Sequence, residues 1–170
     1  EAVGQDSGAV PTTKEYHKAA RELCDKYDML LIYDEVVTAF RLGMGGAQAI
    51  FGTKPDITVF GKIIGGGFGN SGGIGGRREI MDMLAAGISA ESENKVKVGG
   101  TMTANPLTTL AGITVLRELE NKNVHEELDK VSRYFMKGLE DITERYDVPA
   151  LLFHHSSILH VDVSGLQHVQ

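Results

Sequence analysis

Apolar and polar positions recur along this chain with two different periods, and the switches between them mark out its elements. Over residues 14–27 the side chains of Tyr16, Ala19, Ala20, Leu23, Cys24 and Tyr27 return at steps of three and four. That spacing predicts a helix with this face inward, entered through Thr12 or Thr13 as N-cap. Leu30-Leu31-Ile32-Tyr33 is then a continuous apolar run closing on Asp34-Glu35, the pattern of a buried parallel strand. Residues 1–10 read as a short strand and loop, so strand, helix and strand predict a right-handed parallel crossover. A short helix over 45–52 is stopped by Gly52. Pro55-Asp56 turns the chain into a strand over 57–60, and 71–76 reads as a strand of small residues.

The second half is more helical. A helix is predicted over 77–86 with Ile80, Met81 and Leu84 inward, followed by a polar surface loop over 87–95. Pro106 suits the first turn of a helix running to about residue 121. Leu128, Val131, Phe135, Leu139 and Ile142 line one side of another over 124–146, which Pro149 ends. Residues 158–163 have strand composition and read as the start of a second sheet. The division expected is a large α/β domain over 1–122 and the beginning of a small α+β domain over 123–170.

Composition removes several classes of function. The formal charge of −6 offers no basic footprint, so nucleic acid is not an expected partner. No apolar run approaches the roughly 20 residues that span a bilayer, and no membrane association is expected. The single cysteine, Cys24, rules out an internal disulfide framework, and a reducing, cytoplasmic setting is the expectation. The 21 glycines gather mainly between Gly43 and Gly100, which points to backbone lying close to a ligand or turning tightly. The chain opens in what reads as the middle of a sheet and ends in a new strand, so it reads as an internal fragment of a longer protein.

The candidate chemistry sits at strand ends, where open α/β sheets bind their ligands. Asp34 closes one apolar strand, and Lys62 follows the next inside Gly61-Lys62-Ile63-Ile64-Gly65-Gly66-Gly67. An acid and a poorly solvated lysine over one pocket are what a pyridoxal 5'-phosphate (PLP) site needs. The amine forms the Schiff base, and the acid keeps the pyridine nitrogen protonated. Taken alone, Asp34 also suits a helix N-cap, a metal ligand or a Walker B acid, and Lys62 a surface position. The nucleotide reading lacks a Gly-Lys-Ser/Thr loop. Gly67-Phe68-Gly69-Asn70-Ser71-Gly72 matches G-x-G-x-x-G, but a strand rather than a helix is predicted after it. His154, His155 and His160 lack a metal-site spacing, and no metal is expected. Arg41 and Arg77 read as structural ion-pair formers.

Five stretches occur together in order: Asp34-Glu35-Val36-Val37-Thr38-Ala39-Phe40-Arg41, Pro55-Asp56-Ile57, the Lys62 segment, Gly75-Gly76-Arg77, and Gly100-Thr101 with Asn105-Pro106. In this arrangement the chain resembles the class III (subgroup II) PLP-dependent aminotransferases of fold type I. Gly45-Gly46-Ala47-Gln48-Ala49 and Gly75-Gly76-Arg77-Arg78-Glu79-Ile80-Met81 are most similar to the glutamate-1-semialdehyde 2,1-aminomutase and β-amino-acid aminotransferase branch. The resemblance implies transfer of an amino group, between molecules or within one. Lys62 would be the Schiff-base lysine and proton carrier, Asp34 the partner of the pyridine nitrogen, and Val36 a wall against the ring. Gly100 and Thr101 would hold the cofactor phosphate of the neighbouring subunit in a homodimer, and Asp6 would lie near the substrate. Val37 stands where many members carry a glutamine, whereas the aminomutase branch, like this chain, has an apolar residue there. Racemisation or decarboxylation on the same scaffold, and a non-catalytic scaffold domain, are the rival readings. The family's phosphate-binding turn, ring-stacking aromatic and carboxylate-binding arginine fall outside this segment, so 170 residues alone are expected to be inactive.

Overall fold

The structure, a computed structural model, describes residues 1–4, 9–69, 71–85 and 95–163. Its elements in chain order are α1 (Lys14–Lys26), β1 (Ile32–Glu35), α2 (Gly46–Phe51), β2 (Ile57–Gly61), a 3-10 turn (Lys62–Gly65), β3 (Gly72–Gly76), α3 (Arg78–Met81), β4 (Leu84–Ala85), β5 (Val96–Lys97), α4 (Pro106–Asn121), α5 (Val124–Arg145), β6 (Leu151–His155) and β7 (Ile158–Asp162).

The central sheet has the order β1-β2-β3. β1 and β2 run parallel, with Ile32 opposite Ile57 and Asp34 opposite Val59, and β3 joins antiparallel, with Ile74 opposite Val59. The two faces of this sheet differ. Tyr33, Glu35 and Thr58 are buried on one face, while Ile32 is 55% and Ile74 49% exposed on the other. The buried face is covered by α1 and α2. His17 of α1 stacks on Phe51 of α2 at 4.3 Å and hydrogen-bonds the Tyr33 hydroxyl at 2.5 Å. The other His17 ring nitrogen lies 2.6 Å from Thr12 Oγ1. Burial pushes the His17 imidazole below its ordinary range and the Tyr33 phenol above its own.

α1 is capped by Thr13, whose hydroxyl accepts the Tyr16 N–H. Its inward face differs from the expected one. His17 is buried and Ala20, Arg21 and Cys24 are half-buried, while Tyr16, Leu23 and Tyr27 are exposed. The helix has rotated to satisfy polar partners, since His17 reaches Tyr33 and Arg21 reaches Asp56 at 2.7 Å. Of the strand and loop expected over 1–10, the described residues show one antiparallel bridge, between Val3 and Pro11, and among them the parallel connection runs from β1 through α2 to β2. The helix expected over 77–86 is one turn, after which the chain passes into β4, paired with β5. The loop expected over 87–95 lies almost wholly outside the described residues.

Asn105 caps α4 by accepting the Thr108 N–H, and Pro106 occupies its first turn. Along α5 the buried residues are Ser132 and Met136, whereas Val131, Phe135 and Ile142 are more than half exposed. The apolar stripe is legible in the sequence, but most of it, Val131, Phe135 and Ile142, is exposed, and only Leu139 is half-buried. The β6–β7 hairpin closes the described chain, with its turn at Ser156 and Ser157.

Candidate active site at the C-terminal ends of two parallel strands

The site is built where β1 and β2 end side by side. Asp34 is the penultimate residue of β1 and points to the open face of the sheet. Its Oδ1 accepts the Val36 N–H at 3.0 Å, which fixes the carboxylate at the strand end. Among the described residues its other oxygen has no partner. Lys62 follows β2 directly. Asp34 pairs with Val59, so Lys62 is three residues further along, about 10 Å at the usual strand rise. An extended lysine side chain and one six-membered ring bridge such a separation.

Three features hold this end in place. Gly61 lies against Val36, and a Cβ there would come within 2.9 Å of the valine side chain. Val36 thus stands half-buried beside Asp34 as an apolar wall. Lys62 itself has φ +49°, a left-handed conformation costly for a side chain with a Cβ. The surrounding packing imposes it, because α4 lies backbone to backbone on the 3-10 turn. A Cβ at Gly112 would meet the Ile64 carbonyl oxygen at 2.1 Å, and one at Gly66 (φ +62°) would meet the Ala111 carbonyl carbon at 2.4 Å.

Glu35 is fully buried and turned to the opposite face. Its Oε2 accepts the Ala47 N–H at 2.7 Å and the Thr38 hydroxyl at 3.0 Å. Its Oε1 accepts the Gln48 N–H and side-chain amide, both at 3.1 Å. This saturated carboxylate ties the start of α2 to the strand that carries Asp34. Nothing in the hydrophobic pattern marks it, although a second acid inside a buried strand end is the available signal.

Lys62 is exposed rather than poorly solvated as expected, and it is one of the residues lining a cavity of about 280 Å³ with Val37, Arg41, Ser157, Ile158 and Leu159. The β6–β7 turn therefore reaches the lysine. Asp34 is not on this lining, so the two groups end adjacent strands without sharing that one cavity. Arg41 forms no ion pair among the described residues, contrary to the structural role expected for it. Arg77 does pair, with Asp56 at 3.1 Å and Glu79 at 3.2 Å. The loop between Val36 and Arg41 is anchored by His125 of α5, whose Nε2–H donates to the Phe40 carbonyl at 2.7 Å. Phe40 stacks on Phe60 with centroids 5.9 Å apart.

Gly100 and Thr101 lie in the turn before α4. Gly100 lines a second cavity, of about 570 Å³, with Ile64, Ser71, Thr103, Thr108 and Gly112. The exposed Thr101 hydroxyl has no partner among the described residues. Asp6 falls outside the described residues. The segment expected to oppose dinucleotide binding does so, since Gly72 begins an antiparallel strand rather than a helix. Among the described residues no three His, Cys, Asp or Glu side chains are grouped to hold a metal, and no helix is long and apolar enough to cross a membrane.

The residues present suit PLP in kind. A lysine, a carboxylate with an unused oxygen and an apolar wall converge on neighbouring strand ends, and glycines admit the close backbone packing around them. Comparison with known proteins agrees. The glutamate-1-semialdehyde 2,1-aminomutase of Legionella pneumophila (strain Lens) is 44% identical over 149 residues, which cover 88% of this chain and 33% of that protein. An omega-transaminase from Sphaerobacter thermophilus superposes with a TM-score of 0.83 at 31% identity, over 96% of this chain and 36% of its own. A transaminase solved with PLP bound gives a TM-score of 0.82 at 29% identity, over 95% and 37%. The chain thus spans about a third of the length of the relatives it matches. Its fold is the α/β fold of type I transaminases. The model of the class-III aminotransferases matches residues 1–164, and the chain belongs to that family.

Proposed function

We propose that the protein carrying this segment moves an amino group with PLP, the cofactor bound between Lys62, Asp34 and Val36. The observation that carries this reading is the pairing of β1 with β2, which sets an unshared carboxylate oxygen and a lysine at adjacent strand ends. When bound, PLP supplies an electron sink for the carbanion formed at the substrate carbon. The residues of this chain do the rest. Asp34, held by the Val36 N–H, would pair its carboxylate with the ring nitrogen. Val36 excludes water from one ring face. Lys62 would hold the cofactor through its Nζ and would carry a proton between that nitrogen and the substrate carbon.

The likeness to an aminomutase at 44% identity favours transfer within one molecule, and the likeness to transaminases favours transfer between two. In both, the site is completed in a homodimer, where Gly100 and Thr101 of one protomer hold the phosphate of its neighbour's cofactor. A large domain over 1–122 and a small one beginning at 123, and a cytoplasmic setting, belong to the same reading. Lys62→Ala in the full polypeptide is the test. Expected are loss of the cofactor's visible absorption and a fall in amino transfer of at least about a thousand-fold. Retention of both would overturn the assignment. Formation of pyridoxamine phosphate from an amino donor distinguishes amino transfer from racemisation or decarboxylation.

A further inference from the structure

We propose that His125 is a positioning residue for the reaction, holding the loop between Asp34 and the Lys62 cavity in shape through the Phe40 carbonyl. The role rests on the PLP reading of the site, but its own evidence lies in the loop. His125 Nε2 lies 2.7 Å from the Phe40 carbonyl oxygen, across 85 residues of chain. A carbonyl only accepts, so the bond requires the proton on Nε2. Phe40 is half-buried and stands at φ +61°, a left-handed conformation that a bulky residue seldom adopts. The loop's own bonds pass its carbonyl by. The Ala39 N–H bonds to the Glu35 carbonyl at 3.0 Å and the Leu42 N–H to the Thr38 carbonyl at 3.1 Å. No described backbone N–H reaches the Phe40 oxygen, so among the described residues His125 is its donor.

Phe40 is tied on two sides. Its ring stacks on Phe60 of β2 with centroids 5.9 Å apart, and Phe60 stands two residues before Lys62. Val37 and Arg41, on either side of Phe40 in the chain, line the cavity that Lys62 also lines. α5 is a firm support for such a tie. His125 falls with Ser132 and Met136 at steps of seven and four, on the face that this helix of 22 residues buries. Its neighbours Glu126 and Glu127 both pair with Lys130, which leaves the imidazole to the carbonyl. Remove the donor, and nothing at the carbonyl offsets the left-handed strain of Phe40. The loop then relaxes and carries Val37 and Arg41 away from the lysine. Small displacements beside reacting atoms cost rate more than substrate affinity.

The experiment compares His125→Leu and His125→Gln in the full polypeptide loaded with PLP, with L-glutamate, L-alanine and β-alanine as amino donors. Leucine keeps bulk without a donor, and the glutamine amide presents an N–H close to where Nε2 stands. For the donor that the parent uses best, His125→Leu is expected to lower kcat about 5- to 30-fold, with KM within about 2-fold and PLP content as in the parent. Hydrogen exchange at the Ala39 and Leu42 N–H is expected to quicken about 10-fold, while the β1–β2 ladder keeps its protection. His125→Gln is expected to restore most of both. A parent-like kcat in His125→Leu overturns the role, whatever the exchange shows. So does equal loss in the two variants, which assigns the effect to imidazole packing. Exchange that quickens equally across β1 and β2 overturns it too, as a loss of general stability. If the parent takes up no PLP or converts no donor, the proposed function fails and exchange decides alone. Quickening in His125→Leu that His125→Gln reverses then supports the tie, and parent-like exchange in His125→Leu overturns it.

Discussion

The two ends of β2 carry the same kinds of side chain in opposite states. Before its first residue stands Asp56, 4% exposed, with every acceptor in use. The Leu31 N–H and Arg21 share Oδ2, each at 2.7 Å, and Arg77 takes Oδ1 at 3.1 Å. At its far end Asp34, Lys62 and Arg41 stand with charges that the described chain does not neutralise. Identical chemistry is spent on cohesion at one end and left open at the other. The difference teaches where to look for function: not at charged residues as such, but at those whose bonding capacity the fold leaves unused. Glu35 and Asp34 repeat the lesson within one dipeptide, the first saturated and the second half free.

The sharpest way to break this comparison is to neutralise the open end. Asp34→Asn is expected to lower turnover about 100- to 1,000-fold, as loss of a fixed electrostatic partner does, while the melting temperature stays within a degree or two. Should stability fall instead, Asp34 belongs with Asp56 as a cohesive residue. Next comes the packing beneath the lysine. Gly112→Ala drives a methyl into the Ile64 carbonyl, and a loss of about 1–3 kcal/mol in denaturant titration is expected. Cofactor affinity should fall in parallel, because the Lys62 turn must shift.

At the saturated end the effect is smaller and depends on pH. Burial pushes the Asp56 carboxyl up, but the Leu31 N–H, Arg21 and Arg77 together pull it down to about 2, from 3.8. A carboxylate depressed on folding stabilises the protein above its unfolded value and loses that contribution on acidification. Asp56 therefore contributes about 2 kcal/mol at neutral pH, withdrawn as pH falls from about 4 to about 2. Asp56→Asn should cost a similar amount at pH 7 and flatten the stability profile over that window, without changing the cofactor's spectrum. The smallest effect is a gain. Lys62→Gly removes the left-handed strain at φ +49° and should raise stability by up to about 1 kcal/mol, while ending activity. No gain would mean that the surrounding packing, not the lysine, bears the strain.

Strand ends and helix caps were legible in the sequence because local chemistry dictates them. Asp34, Lys62, Gly52, Thr13 and Pro106 each announce a position through their own backbone preferences or charge. Helix faces were less so. Leu23 and Phe135 belong to clear apolar stripes, yet His17 in α1 and Ser132 and Met136 in α5 are the buried residues, because burial depends on which neighbour supplies a surface or a hydrogen bond. Glu35 and His125 could not be read in advance for a related reason. Their meaning lies in partners 12 residues away in one case and 85 in the other. The meeting of the β6–β7 turn with Lys62 is long-range geometry, to which periodicity is blind.

The seating of α4 on the lysine turn bears on transplantation. Gly112 and Gly66 leave no room between helix and turn for even a methyl group, so the helix acts as a mould against which the reactive residue is cast. Anyone grafting residues 57–76 onto a new scaffold would have to carry over α4 with its glycine. Without that mould, the amine would be present in the hybrid and aimed nowhere.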